Sequence, residues 1–328
     1  MPIRLRHDRF GEPAEVLRLE EFDPPQPGPG QVVLRMEAAA MHIADIRSVQ
    51  SGQLFGHALP RTPGFEGIGR VLRVGPGVEG VSVGDRLLPP SGSGTFTEEH
   101  CVPAADCLPA PEGDALQLAL ATINGTTAWV MVDDFAAFEP GSWILQNAAN
   151  SNCGRYLIAL AKERGLRTVN LLRRPELGAD LAELGADVVL VDGEGLAARV
   201  LAATNGVAPR VAFDAVGGAA TQRLAECVAP GGKVVSYGEM SGEPCRLSFY
   251  TMFMRDVGLV GLNFKRQVQR RSLAEQRAVG VELALRIGDG RLRARIAASY
   301  GLVQWREAFA QAARTGGDRD GKVVFDLR

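Results

Sequence analysis

The sequence predicts an α/β protein in which a doubly wound parallel sheet is inserted into a partly open β-barrel. Three observations predict it. Residues 1–122 are rich in Gly, Pro and short β-type runs. Between Trp143 and Leu262, six short apolar strands alternate with helical segments, the pattern of a parallel sheet covered on both faces. A last apolar run, Lys322–Leu327, returns to strand character far from the first segment. The expected division is therefore 1–122 and 265–328 for a discontinuous barrel domain, and 123–264 for the inserted sheet. A chain of 328 residues is long enough for two such domains.

The elements follow in order. "GQVVLRMEAAAMHIAD", "GIGRVLRVGPGVEGVSVGDRLLP" and "GTFTEEHCVP" alternate strands with Gly/Pro turns, as in a small barrel. "ALQLALATINGTTAWVMVDDF" carries small and apolar residues at helical spacing. Strands are then predicted at Trp143–Asn147, Thr168–Leu172, Val188–Val191, Val211–Asp214, Val234–Tyr237 and Gly258–Leu262. Helices are predicted at Cys153–Arg164, Ala179–Leu184, Leu196–Ala203 and Thr221–Cys227, with Gly185 closing the second. Six strands suit a complete dinucleotide-binding sheet. The tail reads as helix, strand, helix and strand.

Composition excludes several classes. Net charge is −2 and the sequence pI about 6.2, so no basic stripe recruits nucleic acid or an anionic membrane. Mean hydropathy is +0.00, and no apolar run approaches the ~18 residues of a membrane span. Met1–Phe10 carries three arginines and no apolar stretch, which is unlike a secretory signal. Five cysteines, none spaced C-x-x-C, argue against a disulfide framework or a Cys-rich zinc lobe. The expected compartment is the cytoplasm.

The most informative stretch is Trp143-Ile144-Leu145-Gln146-Asn147-Ala148-Ala149-Asn150-Ser151-Asn152-Cys153-Gly154. A strand runs through small and polar residues into a helix, which aims backbone N–H groups at a pyrophosphate. The strict G-x-G-x-x-G string is absent. Ala148 stands where the first glycine is expected, and Asn152 where a glycine would supply a positive φ; Asn tolerates that region. The other reading of the stretch is an ordinary strand–helix connection. At the end of the next strand stand Arg173 and Arg174, with no acidic residue before Glu176. An acidic residue there would bond a ribose 2′-hydroxyl, whereas arginine suits a 2′-phosphate. NADPH is therefore expected over NADH. A solvated basic loop is the alternative.

These residues carry a resemblance. "LQNAANSNCG", "RGLRTVNLLRRPE", "NGTTAWVMVDDF", "AFDAVGG" and "GGKVVSYGEM" resemble the medium-chain dehydrogenase/reductase superfamily, and within it the zinc-independent 2-enoyl thioester reductases. The resemblance implies a Rossmann sheet inserted into a GroES-like barrel. It implies reduction of an α,β-unsaturated thioester by NADPH. It also implies cofactor contacts from Asn124; from Asn150, Ser151, Asn152 and Cys153; from Arg173 and Arg174; from Tyr237, Gly238, Glu239 and Met240; from Leu262, Asn263 and Phe264; and from Lys322. A homodimer joined at sheet edges is implied as well, with "VGLVGLN" the candidate edge. For Asn124 a helix cap, for Tyr237 strand-end packing and for Lys322 simple solvation are the alternatives.

Zinc members of the superfamily need a three-ligand set. His42 stands at the first position, but Phe65 stands at the second and cannot bind zinc, although Glu66 follows it. No catalytic metal is expected. His42 is expected to line the site, or to be a satisfied barrel histidine. Without a Lewis acid, a conjugated C=C is the easier target: hydride adds at the β carbon, and the protein stabilises the oxyanion and supplies a proton. The Tyr that the related reductases use falls on Gln53, and no Tyr lies between Met1 and Ala121. Gln53 could bond the oxyanion, and His57 could supply the proton; a surface histidine is the other reading of His57. A related Trp is Phe96 here, which implies a reshaped pocket. The small-molecule substrate is thus an enoyl thioester, an enone or a quinone. The alternatives are an NADPH:quinone oxidoreductase and a non-catalytic NADPH-binding sensor.

Overall fold

A computed structural model describes residues 1–52, 58–314 and 321–328. In chain order its strands are β1 (Ile3–Arg6), β2 (Arg18–Glu21), β3 (Gln31–Ala40), β4 (Glu66–Val74), β5 (Arg86–Leu88), β6 (Glu99–Pro103), β7 (Leu108–Pro109), β8 (Trp143–Gln146), β9 (Arg167–Leu172), β10 (Val188–Val191), β11 (Val211–Asp214), β12 (Lys233–Ser236), β13 (Gly258–Gly261), β14 (Ile296–Tyr300) and β15 (Lys322–Asp326). Its α-helices are α1 (Pro13–Val16), α2 (Ile43–Gln50), α3 (Ala115–Leu118), α4 (Thr126–Val130), α5 (Asn152–Glu163), α6 (Leu196–Ala203), α7 (Ala219–Cys227), α8 (Phe249–Arg255), α9 (Phe264–Val268), α10 (Leu273–Gly288) and α11 (Trp305–Ala312). Two units form: Met1–Ile123 with Arg277–Arg328, and Asn124–Gln276.

In the first unit, strands β14-β15-β3-β4-β5-β7 make one sheet, with β6 also on β3. The long strand β3 is its spine, buried at Val32, Val33, Leu34, Met36 and Ala38–Ala40. Alanines at its end leave room for tight neighbours. There Ala40 pairs with Glu66 of β4 on one side and Val324 of β15 on the other. This register brings three distant segments to one end of the sheet. The last strand thus rejoins the sheet of the first residues, antiparallel to β3. Phe96, fully buried, meets Phe325 and Phe309 edge-on at centroid distances of 5.0 and 6.1 Å. Burial of each ring contributes roughly 1.5–3 kcal/mol. Phe96 is therefore core packing of the barrel.

In the second unit the six strands are all parallel, in the order β10-β9-β8-β11-β12-β13. Numbered within the sheet this is 3-2-1-4-5-6, the Rossmann order. Strands β8 and β11 are buried on both faces, as their continuous apolar runs require. The strand order, not the strand direction, reverses between β8 and β11, and the carboxyl ends at such a switch point form the crevice where nucleotides bind in such sheets.

Two local expectations fail. Ala179–Leu184 is a run of turns after a 3₁₀ turn at Pro175–Gly178. Its backbone closes in turns, Leu181 N on Gly178 O and Gly185 N on Ala182 O, instead of starting an α-helical ladder. The helical stretch 115–135 is broken into α3, a π-type turn at Ala121–Gly125, α4 and a second π-type turn at Met131–Phe135. Among the described residues no helix is long and apolar enough to cross a membrane.

Candidate functional site

In the second unit, β8 delivers the chain into the turn 147–151. Ala148 takes φ 48°, the left-handed region. Asn152 is helical and opens α5, so the positive φ expected at Asn152 sits four residues earlier, at Ala148. The reason is the cap: Ser151 Oγ accepts from Gly154 N at 3.1 Å, which starts the helix at Asn152. Gly154 is required by space. A Cβ there would lie 2.7 Å from Ala149 O. Ser151, Asn152 and Cys153 thus stand at the amino end of α5, where the helix dipole favours an anion.

A carboxylate the sequence reading missed holds this turn. Asp214, fully buried at the end of β11, accepts through Oδ1 from Asn147 Nδ2 (2.6 Å), Val216 N (2.8 Å) and Gly217 N (3.0 Å). Its Oδ2 accepts from Thr221 Oγ1 at 2.6 Å. Asn147 Oδ1 in turn accepts from Ala215 N at 2.8 Å. The two turns at the β8/β11 switch point are therefore one hydrogen-bonded piece. The available signal was an amide ending one apolar strand and a carboxylate ending another, but nothing in the sequence pairs them.

Tyr237 follows β12, its N–H on Asp214 O. Its hydroxyl is shut off from solvent, beside the Ser151 hydroxyl and the Cys153 thiol. Burial, with the Cys153 thiol adding to it, holds the phenol well above its usual range, and the Ser151 hydroxyl opposes the shift. Gly238 lies against Ala215, whose O would meet a Cβ at 2.8 Å. Asn124, in the π-type turn, is buried with Nδ2 unpartnered. Buried polar groups such as the Asn124 amide are costly when left unpaired unless a ligand meets them. They fit a bound nucleotide, and so does the amino end of α5. Glu239 and Met240 are exposed after Gly238, and Leu262 bonds through N–H to Ser236 O. Asn263 caps α9, its Oδ1 accepting from Arg266 N at 3.1 Å, and Phe264 opens that helix. Asn150 is half-buried in the turn.

Arg173 and Arg174 are exposed just beyond β9, and Arg174 Nε lies 3.4 Å from Glu176. The backbone of Asp192 bonds to Leu172 beside them. Its carboxylate is already bound by Arg223, with contacts of 2.7 and 2.5 Å. The end of β9 therefore carries two exposed arginines beside an acid already paired with Arg223.

In the first unit, the end of β3 gathers His42, Glu66 and Lys322. His42 Nε2 bonds Glu66 Oε1, and Lys322 Nζ lies 2.8 Å from His42 Nδ1. An ammonium can only donate, so Nδ1 accepts and the ring proton sits on Nε2, facing Glu66. Glu66 Oε2 accepts from Thr122 Oγ1 (2.9 Å) and Ile123 N (2.8 Å). Lys322 is half-buried in this chain of bonds. Asp45, fully buried, accepts from His42 N at 2.7 Å. Burial raises its carboxyl to about 7; Glu66 pushes the same way and Lys322 opposes. This set does not fit zinc. Both His42 nitrogens are engaged, an ammonium stands beside one of them, and Phe65 offers no donor. Among the described residues no group of three or more His, Cys, Asp or Glu could hold a metal ion. Gln53 and His57 lie outside the described residues.

Comparison with known proteins agrees with this geometry. The alcohol dehydrogenase GroES-like domain matches residues 28–112, and the zinc-binding dehydrogenase domain matches residues 153–277. The mitochondrial enoyl-[acyl-carrier-protein] reductase of Bos taurus is 34% identical over 79% of this chain and 72% of that protein. The Rattus norvegicus protein of that name is 31% identical over 93% of this chain and 83% of its own. Among solved structures, a mycobacterial quinone oxidoreductase superposes with a TM-score of 0.83 at 26% identity, over 99% of both chains. The Etr1p complex with NADP and crotonyl-CoA gives 0.86 at 20% identity, again over 99% of both. With a Rossmann sheet, a barrel built on β3 and these relatives, the chain belongs to the medium-chain dehydrogenase/reductase superfamily, in its branch of enoyl thioester and quinone reductases.

Proposed function

We propose that this protein is an NADPH-dependent reductase that works without a zinc ligand set and acts on the activated C=C of a 2-enoyl thioester. The observation that carries the cofactor choice is the end of β9: Arg173 and Arg174 stand there, and the carboxylate beside them is already held by Arg223. The substrate class rests on the relatives named enoyl-[acyl-carrier-protein] reductase. Bound NADPH supplies hydride to the β carbon. Asn124 offers it an unpartnered amide and Tyr237 a buried hydroxyl, the segment 150–153 receives its pyrophosphate, and the segments 238–240 and 262–264 line its path. Lys322 is oriented by His42. Because His42 keeps its proton on the Glu66 side and accepts at Nδ1, its part is to orient Lys322. The proton for the α carbon then falls to His57, with Gln53 bonding the oxyanion. All five cysteines are free thiols, which suits a reducing compartment such as the cytoplasm. A homodimer joined along β13 belongs to the same reading.

The test is NADPH consumption with crotonyl-CoA, with deuterium from labelled cofactor traced to the β carbon. Exchanging Arg173 and Arg174 for alanine is expected to weaken NADPH binding by about tenfold or more and to leave NADH unchanged. Equal affinity of the intact protein for both nucleotides overturns the cofactor reading. Quinone reduction is the second reading, favoured by the absence of any Tyr from Met1 to Ala121. Turnover of 9,10-phenanthrenequinone with none of enoyl thioesters decides for it. Tight NADPH binding with neither activity leaves a sensor.

A further inference from the structure

Glu66 opens β4, and its side chain is almost fully buried. The backbone around it is fixed. Glu66 O accepts from Thr95 Oγ1 at 3.0 Å, and a Cβ on Gly67 would lie 2.7 Å from Ala38 O, so the chain is pressed onto β3 here. Of its two side-chain oxygens, Oε1 is taken by His42. Oε2 accepts from Thr122 Oγ1 at 2.9 Å and from Ile123 N at 2.8 Å. Those two donors belong to the π-type turn Ala121–Gly125. Asn124 is the next residue of that turn, buried, with its Nδ2 unpartnered. Single π-type turns are rare and recur at functional sites. A buried acceptor that meets two adjacent donors of such a turn fixes its geometry, and with it the direction of the amide one residue on.

The packing of α4 selects the part of a dinucleotide that Asn124 can serve. The turn 121–125 runs directly into α4, and α4 packs against α5 and α9. Helix α9 follows β13, the edge strand on the far side of the switch point from β9 and its arginines. A doubly wound sheet holds one mononucleotide half on each side of that point. With the 2′-phosphate assigned to the β9 side, the β13 side is left for the nicotinamide half. We propose that Glu66 is a positioning residue for that half: through Thr122 and Ile123 it sets the turn 121–125 and so holds the Asn124 amide where the nicotinamide half binds. This rests on the NADPH reading above and adds what orients the amide. The same side chain is tied through His42 to Lys322. Glutamine cannot replace it, having one acceptor oxygen for two sets of donors. With that oxygen on the turn, its NH2 faces the Nε2 proton of His42; with it on His42, the NH2 faces the Ile123 N–H.

The experiment measures, by calorimetry on the whole chain, binding of NADPH and of adenosine 2′,5′-bisphosphate, which lacks the nicotinamide half. Glu66→Gln is expected to weaken NADPH binding about tenfold and Thr122→Val about threefold, while both variants bind the bisphosphate as the intact protein does. Thr122→Val removes one donor to Oε2 and leaves His42 and Lys322 as they were, so it carries the test if Glu66→Gln does not fold. The effect also runs through Asn124. Asn124→Ala alone is expected to weaken NADPH binding about tenfold, and adding Thr122→Val to it costs nothing further. A merely structural Glu66 gives another pattern: a lower urea midpoint, with both nucleotides weakened equally or neither weakened. Either result overturns the proposal, and so does full additivity of Thr122→Val with Asn124→Ala. An intact protein that binds neither compound overturns the NADPH reading itself, and the proposal with it.

Discussion

A single alanine carries the strain in the nucleotide turn. At φ 48° the Cβ of Ala148 crowds the backbone, a conformation that costs a non-glycine residue roughly 1–2 kcal/mol. Glycine removes that cost but loses more entropy on folding, by about 0.4–1 kcal/mol. Ala148→Gly is therefore expected to raise stability by about 0.5–1 kcal/mol, read as a higher urea midpoint at unchanged m-value; a lower midpoint counts against strain at this position. Asp45 makes a second prediction. Its folded carboxyl titrates near 7, against 3.8 for the free group. Between those values the native state binds the extra proton, so stability is complete at low pH and falls as pH rises toward 7. Glu66, Lys322 and the half-buried Arg61 all act on this carboxyl, and burial is the largest cause. Asp45→Asn keeps an acceptor for His42 N and removes the titration. Its urea midpoint is expected to change less from about pH 4 to about pH 7, and above that range the variant is the more stable protein. Parallel pH profiles for the two proteins exclude a raised Asp45. Neither position was fully legible beforehand. The string N-A-A-N-S-N-C-G shows a turn, but the register of the positive φ depends on which residue caps α5, and Asn150, Ser151 and Asn152 are all competent caps.

The strands of the Rossmann sheet were legible because burial on both faces leaves continuous apolar runs, as in Trp143–Leu145 and Val211–Phe213. Helix α5 was legible from its apolar spacing. The 179–184 segment misled because Leu181 and Leu184 imitate a helical stripe, while packing of Leu181 is satisfied by turns. The Asn147–Asp214 clamp was invisible for another reason: its partners are 67 residues apart, and only the β8/β11 pairing brings them together. That clamp predicts how the elements depend on one another. Asn147→Ala removes a charge-assisted donor from Asp214 and the acceptor for Ala215 N. The expected cost is about 2–3 kcal/mol. Loosening the turn after β11 should also weaken NADPH binding by about tenfold, seen by fluorescence titration under conditions where the variant is fully folded. Lost stability with unaltered NADPH affinity makes the clamp purely structural.

At the scale of the whole molecule, the return of the last strand to the first sheet was readable from "KVVFDL" alone, since an isolated apolar strand at a chain's end needs an edge to join. The meeting of His42, Glu66 and Lys322 was not, because it depends on the register of β3 against both β4 and β15. The same reasoning about edges bears on assembly. β13 closes the six-stranded sheet with one side unpaired, and it is exposed along its whole length. Beside it in the chain, α8 exposes Phe249 (71%), Tyr250 (64%), Phe253 (69%) and Met254 (63%), with the two phenylalanine rings stacked at 5.0 Å. An apolar helix face and a bare apolar edge strand are liabilities for a lone chain. In the proposed homodimer, a two-fold axis would let β13 pair antiparallel with its copy and the aromatic faces cover each other. The intact protein is then expected to run as a dimer by light scattering at micromolar concentration. Leu259→Lys combined with Phe253→Glu places charge on the edge and on the helix face without touching the nucleotide turn. That variant is expected to run as a monomer that still binds NADPH. A monomeric intact protein, or a variant that stays dimeric, rules out pairing through β13.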